Sequence, residues 1–207
     1  MDAYEFSKKV ESRIEDLSKE EYLLKNSDDS KRLLEELLPI SKLALALKQP
    51  GLEIDVEGYE GYDEADGLII ESGFRSRRLP IQVTCDYSYE EALRDEQIFK
   101  QGHTSGNGPI KRDKKTNEIE SILVAVNSNE YIKKASNSII TLFNKKCQKN
   151  YTTKMVLIIS FFEFKLSGLH NWSDLLKEIS INQDLHSECF INTYLFNSAS
   201  NEIYKVA

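Results

Sequence analysis

Residues 155–162, MVLIISFF, hold one polar side chain in eight positions. So short and so apolar a run reads as a strand covered on both faces, in the middle of a sheet with helices above and below. The rest of the chain must then supply neighbouring strands and helical covers. Leu52, Ile54 and Val56 alternate with Glu53, Asp55 and Glu57, the two-residue period of a strand with one apolar face. Residues 65–71 and 79–85 read as two more strands, separated by turns at 57–62 and 72–73, so three consecutive short strands predict a meander. Residues 189–196 predict a further strand and 203–206 an edge strand.

Helical spacing marks residues 3–25, through Tyr4, Val10, Ile14, Leu17 and Leu24, and residues 31–48, through Leu33, Leu37, Ile40, Leu43 and Leu47. The loop at 26–30 offers N-caps. Pro39 is expected to kink or divide the second helix, because proline has no N–H to donate and crowds the preceding turn. Further helices are expected over 89–101, over 116–149 as one long helix or two broken near 127–129, and around 172–179. Residues 102–115 read as a long ordered loop, a kind of segment that is often functional. The fold class is therefore α/β (α+β): a central mixed β-sheet flanked by helices. The expected organisation is a single domain over 1–207, with an N-terminal helical arm at 1–30, a core at 31–162 and a C-terminal helix and strands at 163–207.

Composition narrows the setting. Three cysteines in 207 residues, Cys85, Cys147 and Cys189, are odd in number and lack CxxC spacing, which argues against a zinc site and for a reducing compartment. The charged N-terminus has no signal-peptide core and no apolar run approaches a membrane span, so a cytoplasmic location is expected, without membrane contact. The net charge of −7 is unevenly spread. Residues 1–72 carry nine basic against nineteen acidic side chains, and residues 73–155 carry fifteen against nine. An acidic front and a basic middle suit carboxylates near a cation beside a surface that meets phosphate, although solvated charged helices give the same pattern.

The order helix–strand–strand–strand–helix–strand over about residues 31–162, with Asp66 opening the second strand and Gln82-Val83-Thr84 on the third, resembles the restriction-endonuclease-like PD-(D/E)XK nuclease core. Residues two apart on a strand share a face, so Gln82 and Thr84 point one way and Ile81, Val83 and Cys85 the other. The resemblance implies a metal-dependent nuclease that cleaves or processes DNA phosphodiester bonds, in defence or DNA processing. Asp66 and Gln82 would hold Mg²⁺ (or Mn²⁺) through hard oxygen ligands, with Glu36 assisting from the second helix. Glu36 shares the stripe of Leu33 and Ile40, whereas Glu35 is expected to turn farther out. Thr84 stands where the family has a lysine; a displaced cation, such as Lys100, Lys111 or Arg112, would have to fill that role. The alternative is a catalytically inactive nuclease-fold domain that binds nucleic acid or a protein partner.

His103, in the loop His103–Pro109, is a candidate general base or phosphate contact, against the plainer reading of a structured turn. Arg75, Arg77 and Arg78, with Lys111, Arg112, Lys114 and Lys115, are the candidate nucleic-acid contacts, the first three at one end of the expected site. Tyr59, Tyr62, Tyr87 and Tyr89 flank the strand ends, where tyrosines stack on bases or cover a sheet edge. His170 and Trp172 read as packing or capping residues, and His186 has no evident partner. The implied partner is nucleic acid, DNA ahead of RNA, with a homodimer or a protein partner left open.

Overall fold

The computed structural model describes residues 1–58, 64–105, 108–124, 127–163, 169–185, 188 and 190–207. Strand β6 (Met155–Phe161) is buried at all seven positions. It runs parallel to β3 (Arg77–Cys85) on one side and β7 (Phe190–Asn197) on the other. Outside this parallel centre, β1 (Leu52–Gly58) and β2 (Gly67–Gly73) form an antiparallel meander with β3, and β8 (Glu202–Lys205) pairs antiparallel with β7. The six-stranded order is β1-β2-β3-β6-β7-β8. The mixed sheet flanked by helices is the fold class expected from the sequence.

Two apolar layers cover the sheet. On one face, α1 (Ala3–Glu15) and α4 (Leu38–Ala46) pack Ala3, Phe6, Val10, Ile40 and Leu43 onto Ile54, Ile69, Ile81, Val83, Val156 and Ile158. The N-terminal helix thus belongs to the main core, and the bond from Val56 N–H to the Met1 carbonyl (2.7 Å) fixes its start to the sheet. On the other face, α6 (Ser128–Cys147) and α7 (Leu169–Asn182) set Ile139, Phe143, Trp172 and Leu175 against Met155, Leu157, Ile159 and Phe161. Buried Trp172 meets Phe161 edge-on at 5.7 Å and donates its indole N–H to Glu202 (2.8 Å), tying α7 to the edge strand. The side chain of His170, and His186 and Cys189 as a whole, lie outside the described residues.

Local chemistry moves several expected boundaries. The helix expected over 3–25 is two, because α1 ends at Asp16 and the Ser18–Glu21 capping box starts α2 (Lys19–Leu24) afresh. Ser27 caps α3 (Asp28–Arg32) in the same reciprocal way with Ser30. The expected helix at 116–149 begins only at Ser128, capped by Asn127, whose side-chain Oδ1 accepts from the Asn129 N–H (3.2 Å). Ahead of it, β4 (Ile110–Arg112) and β5 (Ile119–Ser121) form a hairpin inside the segments expected as loop and helix. Asp113 accepts the N–H groups of Lys115 (2.7 Å) and Thr116 (2.8 Å), and Asn117 adopts a positive φ of 60°. These local bonds favour the turn over a helix. The hairpin packs Ile110 and Ile119 on Leu93 of α5 (Tyr89–Gln101).

Between α3 and α4 the chain makes a π-helical turn, Leu33–Leu37, closed by a bond from the Leu38 N–H to the Leu33 carbonyl. Pro39 explains it: its missing N–H leaves the Glu35 carbonyl without the usual partner one turn on. The thiol of Cys85 donates to that carbonyl instead, at 3.2 Å. The proline widens the helix rather than dividing it.

At the β2–β3 turn, wholly buried Glu71 accepts from Arg75 Nη2 (2.9 Å) and Arg77 Nε (2.8 Å). Burial pushes the Glu71 carboxyl up, but the hydrogen bonds and charges of Arg77 and Arg75 outweigh it and hold the pKa below the ordinary glutamate value of 4.5. A depressed carboxyl stabilises the fold above that value and loses the contribution as pH falls through the folded-state pKa. Glu71→Gln is therefore expected to lower stability by about 2 kcal/mol at neutral pH in urea titrations, with the deficit shrinking below roughly pH 4.5.

Candidate functional site

Strands β2 and β3 part company where β2 begins. Their pairing ends at Gly67 opposite Ile81, with the Asp66 N–H donating to the Ile81 carbonyl (2.8 Å). Strand β3 continues four residues further, to Cys85. The next β3 donor on that side is the Val83 N–H, which has no β2 carbonyl opposite it. The Asp66 carboxylate takes its place, Oδ2 accepting from Val83 N–H at 2.6 Å. The same oxygen accepts a short hydrogen bond from Gln82 Nε2, which also reaches the Val83 carbonyl (3.1 Å). Asp66 is thus held at a fork in the sheet by a need of the backbone. Gly67 makes the position accessible: a Cβ there would lie 3.0 Å from Ile40 Cδ1 and 3.1 Å from the Glu57 carbonyl oxygen.

Asp66 and Gln82 are therefore in direct contact. Extending the register by one pair sets Asp66 opposite Gln82, on one sheet face with Thr84. Gln82 and Thr84 sit beside Leu157 and Ile159 of β6, residues of the α6–α7 layer. Oδ1 of Asp66 has no hydrogen-bond partner among the described residues. Burial raises the Asp66 pKa above the ordinary 3.8, against the opposing pull of the Val83 N–H, the Lys146 charge, Gln82 and Lys149.

Glu36 comes from the π-helical turn on the opposite sheet face. Its carboxyl is raised by burial and then by the negative charge of Asp66, partly offset by Arg32 at 3.7 Å. Two acids of the sequence-expected set thus lie within electrostatic reach of each other. Glu35 is a correction. Expected to turn outward, its side chain is 15% exposed against 37% for Glu36, and it pairs with Lys25 at 3.3 Å. The π-helical turn shifts the helical phase and swings Glu35 inward.

As a donor set for Mg²⁺ or Mn²⁺, Asp66 and Glu36 suit a hard divalent ion, which would relieve the repulsion between them and use the free Oδ1. Gln82 presents its amide nitrogen to Asp66 and must turn over to offer Oε1. Among the described residues no cluster of three or more His, Cys, Asp or Glu side chains forms, so any such centre rests on two carboxylates and an amide.

Thr84 is half-buried on the α6 side, and its hydroxyl has no hydrogen-bond partner among the described residues. Cys85, on the other side, has its thiol pushed up to about 12, chiefly by burial, and is no nucleophile at neutral pH. His103 is exposed, with Nδ1 3.1 Å from the Gln101 carbonyl oxygen, and no contact links it to Asp66. Gly106 and Asn107 of its loop, with Tyr59 and Tyr62, lie outside the described residues. Tyr87 donates to Asp95 (2.8 Å) with Lys25 over its ring, and Tyr89 is exposed.

The expected basic residues scatter. Arg75, Arg77 and Arg78 lie at the far end of the β2–β3 pair, since five residues of strand separate Asp66 from Glu71, about 17 Å. Their expected position beside the site gives way to that geometry, and Arg75 and Arg77 neutralise Glu71. Lys111 pairs with Glu120 (3.2 Å), and Arg112 and Lys100 both pair with Glu96. Lys114 and Lys115 are exposed in the hairpin turn. The cations that bear on Asp66 are instead Lys146 and Lys149, at the end of α6, which sequence reasoning passed over. The signal was there: a Lys-Lys-Cys-Gln-Lys run at 145–149, just before the central strand.

No protein-family model, no curated protein and no solved structure matches the chain.

A raised carboxyl pKa means that ionised Asp66 burdens the folded state, with stability falling as pH rises from the unfolded value through the folded one. In metal-free buffer at neutral pH, Asp66→Asn is expected to melt higher than the wild type by about 2–4 °C, on the order of 1 kcal/mol. Calorimetry should show the gap closing as pH falls below the ordinary aspartate value.

Proposed function

We propose that this chain is a metal-dependent phosphodiesterase of the PD-(D/E)XK kind, acting on DNA within the cytoplasm. The observation that carries the reading is the Asp66 carboxylate at the strand fork, bonded to Gln82 and Val83 through one oxygen, free at the other, and within electrostatic reach of a second acid, Glu36. The connectivity adds support: a helix, a three-strand meander, a helical crossover, then β6 parallel to the third strand. A desolvated acid whose charge raises a neighbouring carboxyl, as Asp66 does Glu36, is also a mark of functional sites.

In this reading Asp66, Glu36 and a turned Gln82 hold Mg²⁺ or Mn²⁺, and the bound ion supplies positive charge to the scissile phosphate and makes water a better nucleophile. The chain's own contribution is positioning. The Val83 N–H fixes the Asp66 carboxylate, the Ile81 carbonyl fixes its backbone, and the π-helical turn presents Glu36 from the opposite face. Hydrolysis forms one bond from the water oxygen to phosphorus and breaks one phosphorus–oxygen ester bond. One water proton goes to the departing alkoxide and the other to solvent.

Thr84, with a hydroxyl where the family carries a charge, favours a second reading: a domain of this fold that binds nucleic acid without cutting it. Incubation of supercoiled plasmid with Mg²⁺ or Mn²⁺ separates the two. The enzyme reading expects nicking or linearisation that EDTA stops and that Asp66→Ala lowers by about a thousandfold or more. Salt-sensitive DNA binding without cleavage supports the second reading. Cleavage that survives Asp66→Ala defeats the proposed centre.

A further inference from the structure

Lys146 occupies the last turn of α6, and the segment after that helix is tied to the segment that leads into Asp66. Glu64, two residues before Asp66, accepts both the Thr152 N–H (3.0 Å) and the Thr152 hydroxyl (2.6 Å). Ala65 packs against the α6–α7 core, whose members include Phe143 and Cys147 on either side of Lys146. Gln82 and Thr84 face the same layer, beside Leu157 and Ile159. The Glu64–Thr152 bonds and the packing of Ala65 thus bring the end of α6 toward the mouth of the strand fork, on the sheet face to which Gln82 and Thr84 belong.

Lys146 is half-buried, and no hydrogen bond or ion pair engages its ammonium among the described residues. Desolvation pulls its pKa below the ordinary lysine value, and the neighbouring Lys149 adds to that pull while Asp66 and Cys85 oppose it. Contrast Lys100, Lys111 and Arg112, each of which an acid already holds on or beside the α5 hairpin. A lysine desolvated without a partner, one helix away from a carboxylate with a free oxygen, is a charge placed for something that arrives later.

We infer that Lys146, reaching over from α6, supplies at this site the positive charge that Thr84 cannot, and contacts a non-bridging oxygen of the bound phosphodiester. Lys149, three residues on, just past the end of α6 and exposed, continues the same cationic edge toward the next phosphate. The inference rests on the phosphodiesterase reading and adds to it the residue that receives the substrate's charge.

The test uses the full chain, with Mn²⁺ as the metal probe and plasmid DNA as the substrate. Lys146→Met is expected to lower cleavage by about a hundredfold, and Lys146→Arg to recover most of it, because charge rather than shape is what the phosphate reads. Mn²⁺ binding, followed by electron paramagnetic resonance without DNA, is expected to move the opposite way. Removing a positive charge beside Asp66 should tighten Mn²⁺ by about two- to fivefold, whereas Asp66→Asn should abolish binding. Lys146→Gln, checked for a wild-type melt, serves if the methionine variant does not fold. Wild-type cleavage by Lys146→Met, or unchanged Mn²⁺ affinity in both uncharged variants, overturns the role of Lys146 while Asp66-dependent cleavage would leave the broader reading standing. A wild-type chain that neither binds Mn²⁺ nor cuts DNA overturns both.

Discussion

Strand β6 has water on neither face, and the architecture follows from that constraint. A buried parallel strand needs a partner on each edge to satisfy its backbone and an apolar layer on each face to exclude water. Strands β3 and β7 meet the first need, and the α1–α4 and α6–α7 layers meet the second. Because β3 and β6 are parallel, the chain between them must cross over the sheet, and that crossover holds α5, the β4–β5 hairpin and α6. Most of the basic middle of the sequence, from residue 86 on, is that crossover. Its last turn comes to rest beside the fork at the edge of the parallel centre.

The fork shows how a backbone requirement can set a charge. Once β2 stops at Gly67, the Val83 N–H needs an acceptor, and a carboxylate at position 66 meets it with one oxygen and leaves the other unused. The arrangement is locally favourable as a hydrogen bond and unfavourable as a desolvated charge, so Asp66 is raised rather than depressed. Glu71, in the strand that follows Asp66, is the contrast. Two arginines surround it, both of its oxygens are satisfied, and its pKa falls. The protein compensates the charge of buried Glu71 fully and that of half-buried Asp66 only in part. That difference separates a structural ion pair from a candidate site.

Much of the fold was legible along the chain. The alternation at 52–57, the apolar run at 155–161 and the helical stripes in 3–15 and 33–44 report burial directly, because a side chain's face is set by period. The pairing of Asp66 with Gln82 was legible for the same reason, given adjacent strands. What was lost hangs on single local bonds. The Asp113 turn converted expected helix to hairpin, and the orphaned Glu35 carbonyl after Pro39 shifted the helical phase by enough to bury Glu35 instead of turning it out. The arginines of the β2–β3 turn looked close to the site in sequence, yet a strand's length carries them away from it.

The sequence by itself determined the six strands of the main sheet, most of the helices that cover it, and that an acid and an amide would share a strand face. Periodicity, proline and glycine act over a few residues and need no knowledge of the rest of the chain. Tertiary structure alone decided which charges meet. Asp66 is joined by Lys146, eighty residues later in the chain, and by Glu36, thirty residues earlier, because the crossover and the π-helical turn deliver them from opposite sheet faces. Electrostatic interaction depends on separation in space and on desolvation, and neither quantity exists until the layers have packed.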